Sequence, residues 1–182
     1  MKKLKIDSLN RKLIGSLLTI SAATSLSAAS LEIKFDEPER FSDFEQSGLY
    51  TDKLPDEFRE ELQTEVASDL NRTLPDGAHL QITFQDIDMA GEYEPWRPQA
   101  YDVRIVRDVY PPRLKFHYKV VAPDGTIMTE GLAQLTDNSF LWNLHSPESH
   151  SESFYHEQEL VENWVNGKLD DLIENKSGVS TS

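Results

Sequence analysis

The chain has 182 residues, no cysteine and a formal net charge of −14, with 18 Lys/Arg against 32 Asp/Glu. Acidity of that order excludes nucleic-acid binding, which needs a basic face for phosphate. The missing cysteines exclude a disulfide framework, a thiolate metal site and a thiol nucleophile.

The first segment reads as an address. Lys2, Lys3, Lys5, Arg11 and Lys12 form a positive region, Leu13 to Leu26 is apolar and small, and Ser27-Ala28-Ala29 carries the small residues of a cleavage site. This pattern predicts a secretory signal peptide over 1–29, cut before Ser30. The apolar run is about 14 residues, short of the roughly 20 that span a bilayer, so no membrane span is expected in the mature chain. Cleavage takes the net charge from −14 to −18, because the segment holds five Lys/Arg and one Asp. A signal peptide on a chain without cysteine fits a bacterial periplasmic or secreted protein better than a disulfide-dense animal domain.

Residues 30–174 read as one α+β domain and 175–182 as a small, polar, disordered tail. About 150 residues bury roughly 68–70% of their unfolded surface, enough for a core without staples. Leu31 to Phe35 alternates as a half-buried strand. Asp36 to Asp52 reads as a loop anchored by Phe41, Phe44 and Tyr50. A helix follows, with Pro55 in its first turn and an apolar stripe of Phe58, Leu62, Val66, Leu70 and Leu74. Leu74-Pro75-Asp76-Gly77 ends it. His79 to Phe84, Tyr101 to Arg107 and Arg113 to Val121 alternate as strands, with Leu80, Ile82, Phe84, Val103 and Ile105 among the inward residues. Ala122-Pro123-Asp124-Gly125 predicts a hairpin turn into a strand from Thr126 to Thr136, with Gly131 as a bulge. The last helix runs from about Ser153 to Glu174, its apolar face built from Leu160, Val161, Trp164, Val165, Leu169, Leu172 and Ile173. The order β-α-β-β-β-β-α predicts an antiparallel sheet of four to five strands with both helices on one face.

The chemistry concentrates between Asp86 and Arg113. Asp86, Asp88, Glu92 and Glu94 put four carboxylates in nine residues, followed by Pro95-Trp96. In an extended strand Asp86 and Asp88 share a face, where two carboxylates can hold a hard cation or share a proton, as a hydrolase would require. A calcium loop fails, since Ala90 occupies the third ligand position. Arg97, Arg104, Arg107 and Arg113 follow in a mature chain with 13 Lys/Arg. The carboxylates and guanidiniums form either a surface for a polar ligand or a salt-bridge network locking the irregular crossover. The candidate binding surface is Asp86, Asp88, Glu92, Trp96, Arg104 and Arg113, on an excursion of the kind where binding residues gather. A second cluster, His145, His150 and His156 among glutamates, suits zinc or copper in residue type but not in spacing. No Gly-x-Ser-x-Gly elbow and no Gly-rich phosphate loop is present, so no nucleotide or other cofactor is expected. The reading favoured is a non-enzymatic binding or assembly module whose partner is a periplasmic protein or a small polar ligand. The alternatives are a hydrolase using Asp86 and Asp88, and a metal-binding protein using the three histidines.

Several stretches carry a family resemblance. They are Leu74-Pro75-Asp76-Gly77, Asp86 through Trp96, Asp102-Val103-Arg104-Ile105-Val106-Arg107-Asp108, Tyr110-Pro111-Pro112-Arg113 and Leu135-Thr136-Asp137. Together with the tryptophan-bearing last helix, they resemble the secreted bacterial proteins grouped as domain of unknown function 3016, over about residues 31–173. The resemblance implies an exported, single-domain Gram-negative protein. It brings no reaction, cofactor or catalytic residue, and the His145 to His156 segment matches nothing in its pattern.

Overall fold

The computed structural model describes residues 28–43, 54–94, 96–97, 103–142 and 154–179. Residues 1–27 of the expected signal peptide, Phe44, Tyr50, Asp102, His145 and His150 lie outside the described residues.

Strand β1 (Ser30–Phe35) leads through a 3-10 turn (Pro38–Arg40) towards helix α1 (Leu54–Thr73). Strands β2 (His79–Asp88), β3 (Glu92–Tyr93), β4 (Arg104–Ile105), β5 (Arg113–Val121) and β6 (Ile127–Thr136) follow. The chain then enters helix α2 (Tyr155–Asn163), a π-helical stretch (Trp164–Leu169) and helix α3 (Asp170–Val179). The α+β class holds, as does the packing of helices on a four-stranded sheet of order β1-β2-β5-β6. The sheet is mixed rather than purely antiparallel. β1 pairs with β2 in parallel, Ser30 beside His79 and Phe35 beside Phe84. The cause is α1, which carries the chain back to its starting end before β2 begins, as parallel neighbours require. Alternation marks a strand but carries no record of its direction.

The apolar stripe of α1 is fully used. Phe58, Leu62, Val66 and Leu70 are buried against Leu80, Ile82 and Phe84 of β2 and Leu114 and Phe116 of β5. A chain of edge-on rings crosses the core: Phe58 to Phe84 at 5.4 Å, Phe84 to Phe116 at 5.3 Å and Phe116 to Trp164 at 5.0 Å. Such pairs add to burial because ring edges and faces carry opposite partial charge. The π-helical widening buries Trp164, Val165 and Leu169 together, and the helix continues past Glu174 to Val179.

Two glycine and strand expectations change. The register of β6 slips between Val120 and Val121, leaving Met128 as the extra residue, so the bulge is not at Gly131. Gly131 lies opposite Tyr118 instead, and a Cβ there would stand 3.0 Å from the tyrosine oxygen. The glycine leaves room for a ring that packs 5.0 Å from Trp164. Of the strand expected over Tyr101 to Arg107, the described residues 103–107 form only the short strand Arg104–Ile105, paired with Glu92–Tyr93 in a separate two-stranded ribbon. Val103, expected inward, is exposed.

Candidate functional site

β2 sets up the site by changing its parity. Leu80, Ile82 and Phe84 face the core, and strict alternation would send Asp86 and Asp88 after them. The register with β5 shifts between Phe84 and Asp86, which leaves Gln85 as an extra residue and turns Ile87 inward. A bulge of this kind re-aims the side chains beyond it. Asp86 and Asp88 therefore emerge opposite Lys115 and Arg113, on the face away from the helices. The carboxylate of Asp86 accepts from the N–H of Ser42 at 2.8 Å and from its hydroxyl at 3.0 Å. Asp88 Oδ2 accepts from Arg113 Nη1 at 2.9 Å. Burial pushes the Asp88 carboxyl up, with Arg113 opposing that shift.

Among the described residues, the chain leaves the sheet beyond Asp88 and rejoins it at Arg113, and the excursion between them contains the ribbon β3-β4 and little other regular structure. Its backbone is held by side chains. Arg104 Nε donates to the Ala90 carbonyl at 2.8 Å, and its Nη2 donates to the carbonyls of Met89 at 2.7 Å and Gly91 at 2.9 Å. The same guanidinium pairs with buried Asp43, whose Oδ1 lies 3.0 Å from Nη1. Asp43 in turn accepts the Met89 N–H, and Glu157 of α2 accepts the Ala90 N–H at 2.7 Å. The Gly91 N–H reaches the Tyr110 carbonyl at 3.0 Å. One arginine and two carboxylates thus replace the ladder partners that an irregular segment lacks. The planar guanidinium suits this work because its donors fan out in one rigid fork. It also lies over the ring of Tyr93 at 5.5 Å, within cation–π range.

Two further features fix the ribbon. Gly91 has φ +84°, and a Cβ there would come within 2.8 Å of the Ile105 carbonyl oxygen, so only glycine fits. Glu94 is buried between Arg97 and Arg107, with Arg107 Nη1 at 3.1 Å from its carboxylate. Burial also raises the Glu157 carboxyl above its ordinary range, against the stabilising Ala90 N–H.

The candidate residues thus separate. Asp88 and Arg113 meet each other, whereas Asp86 binds Ser42 and Arg104 binds Asp43. Glu92 turns back on its own strand, accepting the Tyr93 N–H at 2.8 Å. Trp96 is 67% exposed. Asp43 and Glu157 are the partners that the sequence did not single out, and Glu94 was noted among the carboxylates without its arginine partners. Asp43 stands 61 positions from Arg104, and no local pattern signals such a pairing. Glu157 carried a faint signal, since it lies one turn before the apolar face of the last helix.

Asp43, Glu94 and Glu157 are turned inward, and apolar side chains are turned out. Of seven large hydrophobic residues exposed among the described residues, four belong to this excursion: Trp96, Val103, Val106 and Val109. The histidine cluster is represented here only by His156, which packs edge-on to Phe140 at 4.8 Å and beside Tyr155 at 5.2 Å. Among the described residues no group of three or more His, Cys, Asp or Glu is placed to hold a metal. No described helix is long and apolar enough to cross a membrane.

Fold and site define a class: an α+β domain with a mixed sheet, helices on one face, and an irregular excursion clamped to the end of the sheet. The family model described as Protein of unknown function (DUF3016) matches residues 29–167, and the chain belongs to that family. A search of curated proteins found no match.

Proposed function

We propose that the protein is an exported, periplasmic, non-enzymatic binding module that recognises a protein partner through the excursion between Asp88 and Arg113. One observation carries the reading: Trp96, Val103, Val106 and Val109 are held in solvent by a segment whose backbone is locked by buried ion pairs. Exposed apolar groups on a rigid support lose little entropy on binding, and tryptophan is the commonest energetic anchor of interfaces. Arg97 and Arg113, each half exposed, and Arg107 supply polar groups on the same segment. Export rests on the positive, apolar and small-residue pattern of residues 1–29.

The reading favours binding over hydrolysis because Asp86 and Asp88 each have a hydrogen-bonded partner and do not share one. The test is photo-crosslinking in intact cells from a reactive residue placed at Val109. The account expects a discrete crosslinked partner that disappears when Trp96 and Val106 are changed to serine, with thermal unfolding unchanged. The same adduct surviving those changes refutes the assignment of the surface. Amino-terminal sequencing of the periplasmic protein checks export, with Ser30 expected as its first residue.

A further inference from the structure

The two edges of the sheet are treated differently. At β1 the strand is six residues long, carries Lys34, and is overlaid by α1, whose Gln63 Nε2 donates to the Leu31 carbonyl at 3.2 Å. At β6 the strand runs ten residues, from Ile127 to Thr136, and among the described residues it pairs with β5 alone. It contains no proline, lysine or arginine, and its one charge is Glu130. Lysine, proline and short length are the usual guards of an edge whose backbone donors and acceptors face outwards. The guard present here is the bulge at Met128, which leaves Thr129 to Thr136 regular.

The geometry points to this regular stretch as an interface with a second copy of the chain, β6 pairing antiparallel with β6 across a two-fold axis to give a continuous eight-stranded sheet. The pattern of the strand selects the register. A two-fold axis normal to the sheet must keep each side chain on its own face, so paired residues are separated by an even number of positions. Axes on Leu132 and on Ala133 each pair seven of the eight regular residues, and of the two only the Leu132 axis sets the exposed Leu132 against its own twin. It places Leu132 on its own copy, Glu130 opposite Gln134, Gly131 opposite Ala133 and Thr129 opposite Leu135. No like charges meet, and the exposed Leu132, 48% accessible, is covered by its twin. On the helix side the central residues are the smallest in the strand. A groove of about 300 Å³ runs there between β6 and the last helix, floored by Ala133, Leu135, Trp164 and Leu172 and edged by Lys168. The net charge, −14 over the whole chain and −18 without residues 1–29, opposes encounter at long range, and that repulsion is screened by salt, so the dimer strengthens as salt rises.

Sedimentation equilibrium of the purified protein over concentration and salt tests this. A reversible dimer is expected, its fraction rising with both. Leu132→Lys sets two cations opposite each other and is expected to give monomer throughout, while mixing Leu132→Lys with Leu132→Glu restores a one-to-one dimer. Since the chain has no cysteine, Leu132→Cys supplies a single thiol that meets its twin on the axis and crosslinks under mild oxidation; Lys34→Cys, on the β1 edge, does not. A wild type that stays monomeric overturns the proposal, as does a dimer that Leu132→Lys leaves intact. If Leu132→Lys fails to fold, absence of the Leu132→Cys crosslink overturns it alone.

Discussion

The sheet with its helices and the excursion between Asp88 and Arg113 are stabilised by opposite means. In the sheet, backbone groups are satisfied by the ladder, and side chains are free to be apolar: Phe58, Phe84, Phe116 and Trp164 form one ring chain through the core. In the excursion the ladder has shrunk to two pairs, Glu92 with Ile105 and Tyr93 with Arg104. Charged side chains take over, and Arg104 alone serves three carbonyls and a carboxylate. The difference teaches where apolar surface is left to spare. A segment that orders itself through buried charge need not bury its valines and its tryptophan, and here it displays them.

Breaking the sheet side has the largest effect. Phe84→Ala removes a ring in contact with Phe35, Phe58 and Phe116 and is expected to cost about 3–5 kcal/mol of global stability, read from chemical denaturation. Breaking the clamp comes next. Arg104→Ala strands the buried Asp43 carboxylate and three carbonyls, at a cost of about 3 kcal/mol, borne mainly by the excursion. Arg104→Lys is expected to recover only part, because an ammonium lacks the rigid fork.

Glu157 sharpens the comparison through pH. Its carboxyl is raised by burial, so the folded state holds that proton more tightly than the unfolded chain does. Its contribution to stability therefore falls as pH rises above the ordinary glutamate range, the reverse of a salt-bridged carboxylate. Glu157→Gln keeps an oxygen for the Ala90 N–H and carries no charge. It is expected to exceed the wild type in melting temperature at neutral pH, with the advantage vanishing in acid. Glu157→Ala loses the acceptor and is expected to cost about 1–3 kcal/mol. The smallest effect belongs to Asp88→Asn. That pair with Arg113 is half open to solvent, and its loss is expected to change stability by less than about 1 kcal/mol in a denaturant titration.

The helix stripe from Phe58 to Leu70, the inward residues of β2 and β5, and the hairpin turn at Pro123 to Gly125 were all legible, because periodicity and turn chemistry are local. The direction of β1 was not, since parallel and antiparallel strands alternate alike. Nor was the bulge at Gln85, which decides that Ile87 and not Asp86 enters the core. In the site, four arginines and four carboxylates announced a charged network, but their pairing is set in three dimensions. Asp43 and Glu157 reach Met89 and Ala90 from 46 and 67 positions away. Val103 was assigned inward because it alternates with Ile105. Among the described residues the pairing there is two residues long, and the valine is left in water.

The account turns on the excursion being a separate unit held by Arg104. Hydrogen exchange at the Met89, Ala90 and Gly91 amides, compared between wild type and Arg104→Ala, tests it most directly. These three donors bond to Asp43, Glu157 and the Tyr110 carbonyl rather than to a ladder strand. The account predicts that Arg104→Ala removes their protection while the amides of β2 between Leu80 and Phe84 exchange as before. Equal loss of protection across both regions, or none at either, would contradict it.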